Sequence, residues 1–348
     1  LDQGSSDHLL RHRSAGNFAE QDFHRPLAAD AVSSRWLVHD RIRSDSRTVD
    51  TAMGIGLVRD LCDCSNARGS AQQANRMTIR DLLRLALIDP LEARILMAHV
   101  LQCSRVQLVI RENDALSAEQ VNNISGLLLR RMQGEPIAYL TGEREFFGLS
   151  FKVTPDVLIP RPETELLVEL AVEKLPQAGR IADLGTGSGA VAVALAHTRR
   201  DAQVIATDIS DEALAVARDN ADYHRVKIQF IRSDWCRSLD GLFDVVVSNP
   251  PYIAASDAHL LQGDLRFEPR SALTDHANGM TALSAIIDGA PAHLKPGGWL
   301  LLEHGYDQAT VVRHQLTRAG WSDVQSWKDL AGIERVSGGR WNAALRAG

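Results

Sequence analysis

The chain has 348 residues, a formal net charge of −6 and a hydrophobic fraction of 45%. These values are typical of a soluble globular protein with room for two domains, and they exclude a strongly basic nucleic-acid-binding protein. No apolar run approaches the roughly 18 residues of a membrane span, and the opening LDQGSSDHLLRHRSAG lacks the apolar core of a secretion signal. We therefore expect a cytoplasmic protein that does not enter the membrane.

The cysteines argue against disulfide and metal frameworks. Cys62, Cys64, Cys103 and Cys236 are too few and too scattered for a disulfide-stabilised fold. Cys62 and Cys64 are close in sequence, but no second Cys or His pair at ligand spacing completes a metal site. We predict that the protein has no metal site.

Residues 1–76 differ in composition from the rest of the chain. They contain ten Arg, no Lys and ten Asp or Glu, with scattered apolar residues and no sustained period of 2.0 or 3.6 residues. At Met77 the pattern changes abruptly to that of apolar helices. We interpret residues 1–76 as a disordered extension and Met77 as the start of the folded protein. The alternative is a weakly patterned regulatory segment.

Residues 77–135 are predicted to form a small domain of four helices. Apolar residues recur there at helical spacing. Asp89 followed by Pro90, and the SAEQ sequence from Ser117, are typical of helix starts. Gly134 is typical of a helix end.

The remaining chain predicts a hairpin and then an α/β fold. Residues 136–158 place aromatic and β-branched residues around Gly148, which predicts a β-hairpin linking two domains. In residues 159–345, helices separate continuous apolar strands, so we expect a mostly parallel sheet covered on both faces. The predicted strands are RIADLG, QVIATD, IQFIRSD, FDVVVSN and GWLLLEHG, followed by a late hairpin of DVQSWKD and ERVSGGRW.

The sequence ADLGTGSGAVAVALA indicates a strand, a glycine-rich turn and a helix. Glycines in this turn permit close approach to a ligand and leave backbone amides at a helix N-terminus. Asp208 ends the next strand, where an acidic side chain binds ribose hydroxyls. The pattern also fits the dinucleotide fingerprint, so it does not separate NAD from S-adenosylmethionine. The predicted cofactor-binding turn consists of Gly185, Thr186, Gly187, Ser188 and Gly189.

Two further features favour S-adenosyl-L-methionine. Asp183 precedes the turn, where an acidic group repels pyrophosphate but can face a cationic sulfonium. The third strand ends in RSDW, so Asp234 can accept a hydrogen bond from an adenine amino group and Trp235 can stack on the ring. We predict all three as cofactor-binding residues.

The fourth strand ends in SNPPY, residues 248–252. The two prolines make a stiff, extended exit from the strand. An Asn-Pro-Pro-Tyr segment that ends a strand after DLGTGSG resembles that of methyltransferases that alkylate planar nitrogens. The resemblance implies that the Asn249 side-chain oxygen and the Pro250 carbonyl accept hydrogen bonds from a planar NH2 group and that Tyr252 packs on its flat face. In this arrangement the surrounding backbone would hold the NH2 of Asn249. We predict Asn249, Pro250 and Tyr252 as catalytic, these three with Pro251 as substrate-binding, and Asn249 also as a cofactor contact.

From about Met77 to Trp341 the chain resembles the release-factor glutamine methyltransferases of the HemK/PrmC type. The resemblance implies a Rossmann-like class I S-adenosylmethionine-dependent methyltransferase domain, preceded by a small helical substrate-recognition domain and a β-hairpin linker. It further implies methylation of the side-chain amide nitrogen (N5) of the glutamine in the GGQ motif of class 1 release factors. The matching stretches are GEPIAYLTGEREFFG, LIPRPETE, DLGTGSG, SDW, SNPPYI, GDLRFEPRSAL, GGWLLLEHG and ERVSGGR.

The resemblance also assigns residues. It implies that the glycine-rich turn, Asp208 and Trp235 hold the cofactor, and that the SNPPY residues from Asn249 hold the glutamine. Phe146 or Phe147 of the hairpin and Arg161 are implied to line the site. Residues 1–76 have no counterpart in the family.

Two alternatives share this chemistry. One is an adenine-N6 methyltransferase acting on DNA or RNA, but residues 77–348 contain 28 basic and 34 acidic residues, whereas phosphate binding needs clustered Lys and Arg. The other is a glutamine methyltransferase of another protein, such as a ribosomal one. We expect a release factor as partner, and neither a membrane nor direct nucleic-acid contact.

The loss of periodicity before Met77 predicts that residues 1–76 are dispensable. A chain beginning at Met77 is expected to keep the melting temperature and the methyl transfer rate of the full chain, because no predicted core residue is removed. Thermal unfolding and a transfer assay on both chains would check this. A substantial drop in either quantity would show that residues 1–76 belong to the folded enzyme.

Overall fold

The computed structural model describes residues 77–342. The predicted disordered extension and residues 343–348 lie outside the described residues. The described part begins with the helices α1 (Ile79–Leu85), α2 (Pro90–Val100), α3 (Arg105–Ile110), α4 (Ala118–Met132) and α5 (Ile137–Thr141). No helix in residues 77–342 is both long enough and apolar enough to cross a membrane.

The N-terminal helices begin at the predicted capping residues. Asp89 accepts hydrogen bonds from the Leu91 and Glu92 amides at 2.7 and 3.3 Å, and Ser117 forms a reciprocal capping box with Gln120. The helices enclose a core of their own, made of Ile79, Leu82, Ala93, Leu96, Met97, Leu108, Ile124, Leu128 and Leu140.

Helix α5 was not predicted, because its β-branched and aromatic residues were interpreted as the start of the hairpin. Pro136 precedes the helix, at a position where a backbone N–H would have no partner inside the helix. The missing N–H of proline therefore costs no helical hydrogen bond. Gly142 ends it with φ of +73°. The predicted hairpin is confirmed but shorter, with β1 (Glu143–Phe146) pairing antiparallel to β2 (Leu149–Lys152) around Gly148.

The rest of the described chain is built around a mixed seven-stranded sheet, which confirms the predicted α/β class. Its order is β5-β4-β3-β6-β7-β9-β8. The strands β3 to β7 are parallel, and β9 is antiparallel to both β7 and β8. The strands are β3 (Arg180–Leu184), β4 (Gln203–Asp208), β5 (Ile228–Arg232), β6 (Phe243–Ser248), β7 (Leu294–Glu303), β8 (Ser322–Lys328) and β9 (Glu334–Arg340).

Helices pack on both faces of this sheet, and two apolar clusters of buried side chains form the core. The hairpin belongs to one of them, since Phe146 and Phe151 are at most 1% exposed. The helices are α6 (Glu165–Lys174), α7 (Ala190–Thr198), α8 (Asp211–Tyr223), α9 (Arg270–Leu273), α10 (Thr281–Gly289) and α11 (Ala309–Arg318).

The sheet reverses its strand order at β3. From β3 the chain proceeds to β4 and β5 on one side, and later places β6 on the other side. Such a switch point leaves a crevice at the carboxyl ends of the strands. Leu184 pairs with Thr207 of β4 and with Ser248 of β6, so the segments that follow these residues emerge side by side.

Arg131 joins the N-terminal helices to the loop that follows β6. Its guanidinium donates to both carboxylate oxygens of Glu92 at 2.7 and 2.8 Å and to Asp264 at 2.9 Å. Asp264 lies in a 3-10 helix, Gly263–Phe267. The side chains of Arg131 and Glu92 are 18% and 26% exposed, so water screens this pair less than it screens the pair with Asp264, which is 46% exposed.

Arg131→Ala is expected to lower the free energy of unfolding by about 1–3 kcal/mol, because charge-assisted hydrogen bonds are lost and two carboxylates lose their partner. Its neighbour Arg130 provides a matched control, since it pairs with Glu135 while 51% exposed. Arg130→Ala is expected to change stability by less than about 1 kcal/mol. Urea unfolding measures both, and equal effects would contradict a special role of Arg131.

Candidate active site

The glycine-rich turn leaves β3 in a backbone conformation that favours glycine. Gly185 and Gly187 have φ of +71° and +55°. A Cβ on Gly185 would lie 3.1 Å from the Trp235 ring, whereas one on Gly187 would meet nothing within 4 Å. The turn is therefore closely packed against Trp235 at its start and open at Gly187.

Gly189, the third predicted glycine, faces the protein interior. A Cβ there would lie 3.0 Å from the Ala217 side chain of α8, and Gly189 does not line the cavity described below. Its small size allows α7 to approach α8. Nearby, Asn220 of α8 donates to the carbonyls of Ser188 and Lys152 at 2.8 and 3.0 Å, which ties the turn to the hairpin.

Two carboxylates lie beside the turn. Asp183 is 2% exposed and accepts a hydrogen bond of 2.6 Å from the Thr186 hydroxyl. Asp208 accepts hydrogen bonds from the amides of Gly187 and Ser210 at 2.9 and 3.0 Å. Ser210 itself caps α8, so Asp208 does not serve as the cap of that helix.

Burial sets the electrostatics of these carboxylates. It raises the pKa of Asp183 to about 7, with a further contribution from the charge of Asp208 and an opposing hydrogen bond from Thr186. Burial also raises the pKa of Asp208, although its bonds to the Ser210 and Gly187 amides oppose the shift. The paired acids would be stabilised in their charged form by a cationic ligand.

Trp235, which packs beside Gly185, lines the same cavity in a strained backbone conformation. Its φ is +50°, which is uncommon for a bulky residue and typical of functional sites. The Ser233 hydroxyl supports this conformation by donating to the Trp235 carbonyl at 2.8 Å. Asp234 lies at the rim and forms an ion pair of 3.1 Å with the exposed Arg237.

The SNPPY segment enters the same region from β6. The Asn249 NH2 donates to the Thr164 hydroxyl at 3.2 Å, so a side chain holds it and the prediction of a backbone acceptor is wrong. Within residues 77–342, no donor reaches the Asn249 side-chain oxygen. Tyr252 follows in the loop. Its hydroxyl donates a hydrogen bond to Glu303 at 3.4 Å, and its carbonyl accepts one from the Gln308 side chain at 3.0 Å.

One cavity of about 280 Å³ gathers these groups. Pro251, Phe146 and Arg161 also line it, whereas Pro250, Tyr252 and Phe147 do not. The lining residues that were predicted for the cofactor are Asp183, Gly185, Thr186, Gly187, Ser188, Asp208, Asp234, Trp235 and Asn249.

An ion pair closes one side of the cavity. Glu268 is 4% exposed, forms an ion pair with Arg161 and accepts a hydrogen bond of 3.1 Å from the Ile159 amide. It thereby ties the loop after β6 to the segment before α6. Sequence reasoning did not single out Glu268, Thr164 or Glu303, although each lies in a stretch that matches the family.

Sequence comparisons place the chain among known methyltransferases. Residues 77–142 match the PrmC N-terminal domain and residues 162–264 match the Methyltransferase small domain. The chain is similar to a protein named release factor glutamine methyltransferase from Burkholderia pseudomallei, at 55% identity over 76% of this chain and 96% of the relative.

Two further relatives carry the same name. The one from Bordetella pertussis is 51% identical over 75% of this chain and 98% of its own length. The one from Neisseria gonorrhoeae is 46% identical over 78% of this chain and 100% of its own length. The similarity therefore covers nearly the whole of each relative.

Asp183→Asn tests the buried carboxylate. Because its folded pKa of about 7 lies above the ordinary 3.8, the contribution of Asp183 to stability is fully present below about pH 4 and is lost as the pH rises through about 7. The variant lacks this dependence, so its melting temperature should rise relative to the parent between ~pH 5 and ~pH 8. Affinity for S-adenosyl-L-methionine should fall by about tenfold or more, the loss of one charge-assisted hydrogen bond.

Thermal unfolding across that pH range and calorimetric titration with the cofactor measure both effects. A parallel pH dependence of the two melting temperatures would contradict the raised pKa. Unchanged cofactor affinity would remove Asp183 from the binding site.

Proposed function

The chain belongs to the family of release factor glutamine methyltransferases, and on this basis we propose that it methylates a peptide chain release factor. The methyl group passes from S-adenosyl-L-methionine to the side-chain amide nitrogen (N5) of the glutamine in the GGQ motif. The observation that carries the proposal is the Asn249 oxygen, an acceptor without a protein donor in the described residues, in the wall of a cavity rich in carboxylates.

The cavity has the chemistry that S-adenosyl-L-methionine requires. Among its described lining residues there are four aspartates and one basic residue, Arg161, which pairs with Glu268. That composition suits a cation and disfavours the pyrophosphate of a dinucleotide. Asp183 and Asp208 would hold the charged and hydroxyl groups of the cofactor, and Trp235 would contact its adenine ring.

When bound, the cofactor supplies a methyl group on a positively charged sulfur. The protein must then position a poor nucleophile, since the amide nitrogen lone pair is delocalised, as the ~18–20 kcal/mol barrier to amide rotation shows. The Asn249 oxygen and the Pro250 carbonyl would accept its two N–H bonds. No described backbone amide donates to the Pro250 carbonyl, although Pro250 is not among the residues that line the cavity.

These acceptors also favour the positive charge that the nitrogen gains as it attacks the methyl carbon and the bond from that carbon to sulfur breaks. The positively charged, N-methylated amide formed by this attack is far more acidic than the neutral substrate and loses its extra proton readily to water. Little general-base catalysis is therefore needed, and positioning supplies most of the rate enhancement. We place this reaction in the cytoplasm, where release factors act.

Asn249→Ala removes one of the two acceptors while the prolines keep the loop. The rate of methyl transfer is expected to fall by about 10²–10³-fold, the usual effect of losing one preorganised electrostatic partner. Asn249→Asp retains an acceptor and should keep partial activity. Single-turnover methylation of a release factor, with labelled S-adenosyl-L-methionine, measures both rates.

Two further substrates make the assay specific. A release factor with Gln→Glu in its GGQ motif should take no label, and a DNA oligonucleotide tests the rival adenine-N6 activity. Faster labelling of DNA than of the release factor, or full activity in Asn249→Ala, would overturn the proposed function.

A further inference from the structure

Glu303 is a buried carboxylate beneath the SNPPY loop that the proposed reaction does not use. It is the last residue of β7 and only 1% exposed. Its Oε1 accepts a hydrogen bond from the Tyr252 hydroxyl at 3.4 Å. Its Oε2 has no hydrogen-bond partner within normal distance in residues 77–342. A buried acceptor of this kind is rare and calls for an explanation.

Thr164 lies between Glu303 and Asn249. Its side chain is buried, and its oxygen accepts a hydrogen bond from the Asn249 NH2 at 3.2 Å. No hydrogen bond donated by the Thr164 hydroxyl is formed in the described chain, but the hydroxyl lies near enough to Glu303 to stabilise its charged form. The buried Glu303 carboxylate, whose Oε2 lacks a donor, is therefore an acceptor that this proton can serve.

This arrangement bears on the orientation of the Asn249 amide. The oxygen and NH2 ends of an amide have nearly the same shape, so hydrogen-bond partners decide which end faces a ligand. A hydroxyl has a single proton. If Thr164 directs it to Glu303, then Thr164 can only accept from Asn249, and the NH2 of Asn249 must face Thr164.

We propose that Glu303, acting through Thr164, fixes the Asn249 amide with its oxygen toward the substrate. Glu303 is thus a positioning residue, and its role rests on the proposed function. Were the Thr164 proton free to turn to Asn249, the amide could reverse and present NH2 to the substrate nitrogen. A donor would then face a donor, and the glutamine would lose its anchor.

The charges around Glu303 show when it can act as an acceptor. Burial raises the pKa of Glu303 to about 7, Glu163 adds to the shift, and Thr164, Arg335 and Tyr252 oppose it. The carboxylate therefore accepts above neutral pH. Below it, the protonated acid can donate to Thr164 and release the constraint. Since Asp183 titrates in the same range, the pH profile of the parent does not separate the two groups.

Glu303→Gln is the decisive variant. The new side chain keeps an oxygen for the Tyr252 hydroxyl and places an NH2 at the other position, where it donates to Thr164 and reverses the hydrogen-bond order. We expect an unchanged affinity for S-adenosyl-L-methionine and a single-turnover rate about 10²-fold lower. Thr164→Val should behave alike, whereas Thr164→Ser, which keeps the hydroxyl, should retain most of the rate.

A binding measurement distinguishes orientation from mere loss of structure. The parent presents an oxygen and should disfavour a release factor with Gln→Glu in its GGQ motif. Glu303→Gln presents an NH2, so the ratio of Gln-form to Glu-form affinity should fall by about tenfold or more, the scale of one charge-assisted hydrogen bond. An equal loss for both forms, or an unchanged ratio, would overturn the proposal.

Failure of the proposed function has a different signature. In that case the parent itself would not methylate the release factor, whatever the variants do. The amide orientation can then be followed by NMR of the Asn249 side-chain NH2 group in parent and Glu303→Gln without any substrate. Identical shifts in both proteins would reject the role of Glu303, and a large change would support it.

Discussion

The hydroxyl of Ser248 donates a hydrogen bond of 2.7 Å to the carbonyl of Leu184, where β6 and β3 end side by side. On the other side of β3, the amides of Gly185 and Thr186 both donate to the Thr207 carbonyl at 2.8 Å. These bonds hold three parallel strands in one register at the switch point of the sheet. The glycine-rich turn, Asp208 and Asn249 follow directly from these strand ends, so their mutual positions depend on this register.

Segments remote in sequence then complete the site. The loop after β6 is tied to the segment before α6 through Glu268, and to the N-terminal helices through Arg131. In each connection one charged group is largely shielded from water, Arg131 in one and Glu268 in the other. The strength of partly buried ion pairs depends strongly on their geometry, so a shift of the N-terminal helices would weaken the contact that holds the loop after β6. The N-terminal helices and the cavity are in this way mechanically connected.

The sequence predicts the strands well because their apolar runs are continuous, and the caps well because Asp89 and Ser117 act locally. Helix α5 was missed because burial of Ala138 and Leu140 outweighs the strand propensity of its other residues. The packing role of Gly189 depends on α8, which lies far along the chain, and no local pattern reveals it. Thr164 and Glu303 were passed over for the same reason, since only the folded chain brings each of them near the SNPPY loop.

The cavity and the layer beneath it are rich in hydrogen-bond acceptors. Asp183, Asp208 and the Asn249 oxygen lie in its wall, and the carboxylate of Glu303 lies behind it. Burial disfavours the charged form of these carboxylates and thereby raises the pKa of Asp183 and of Glu303 to about 7. A positively charged cofactor would supply compensating charge to these carboxylates, and a planar NH2 group would supply hydrogen-bond donors to the acceptors. In the proposed function, an acceptor-rich site would bind the two reactants for a single electrostatic reason, and it would favour them most when the amide nitrogen becomes positively charged.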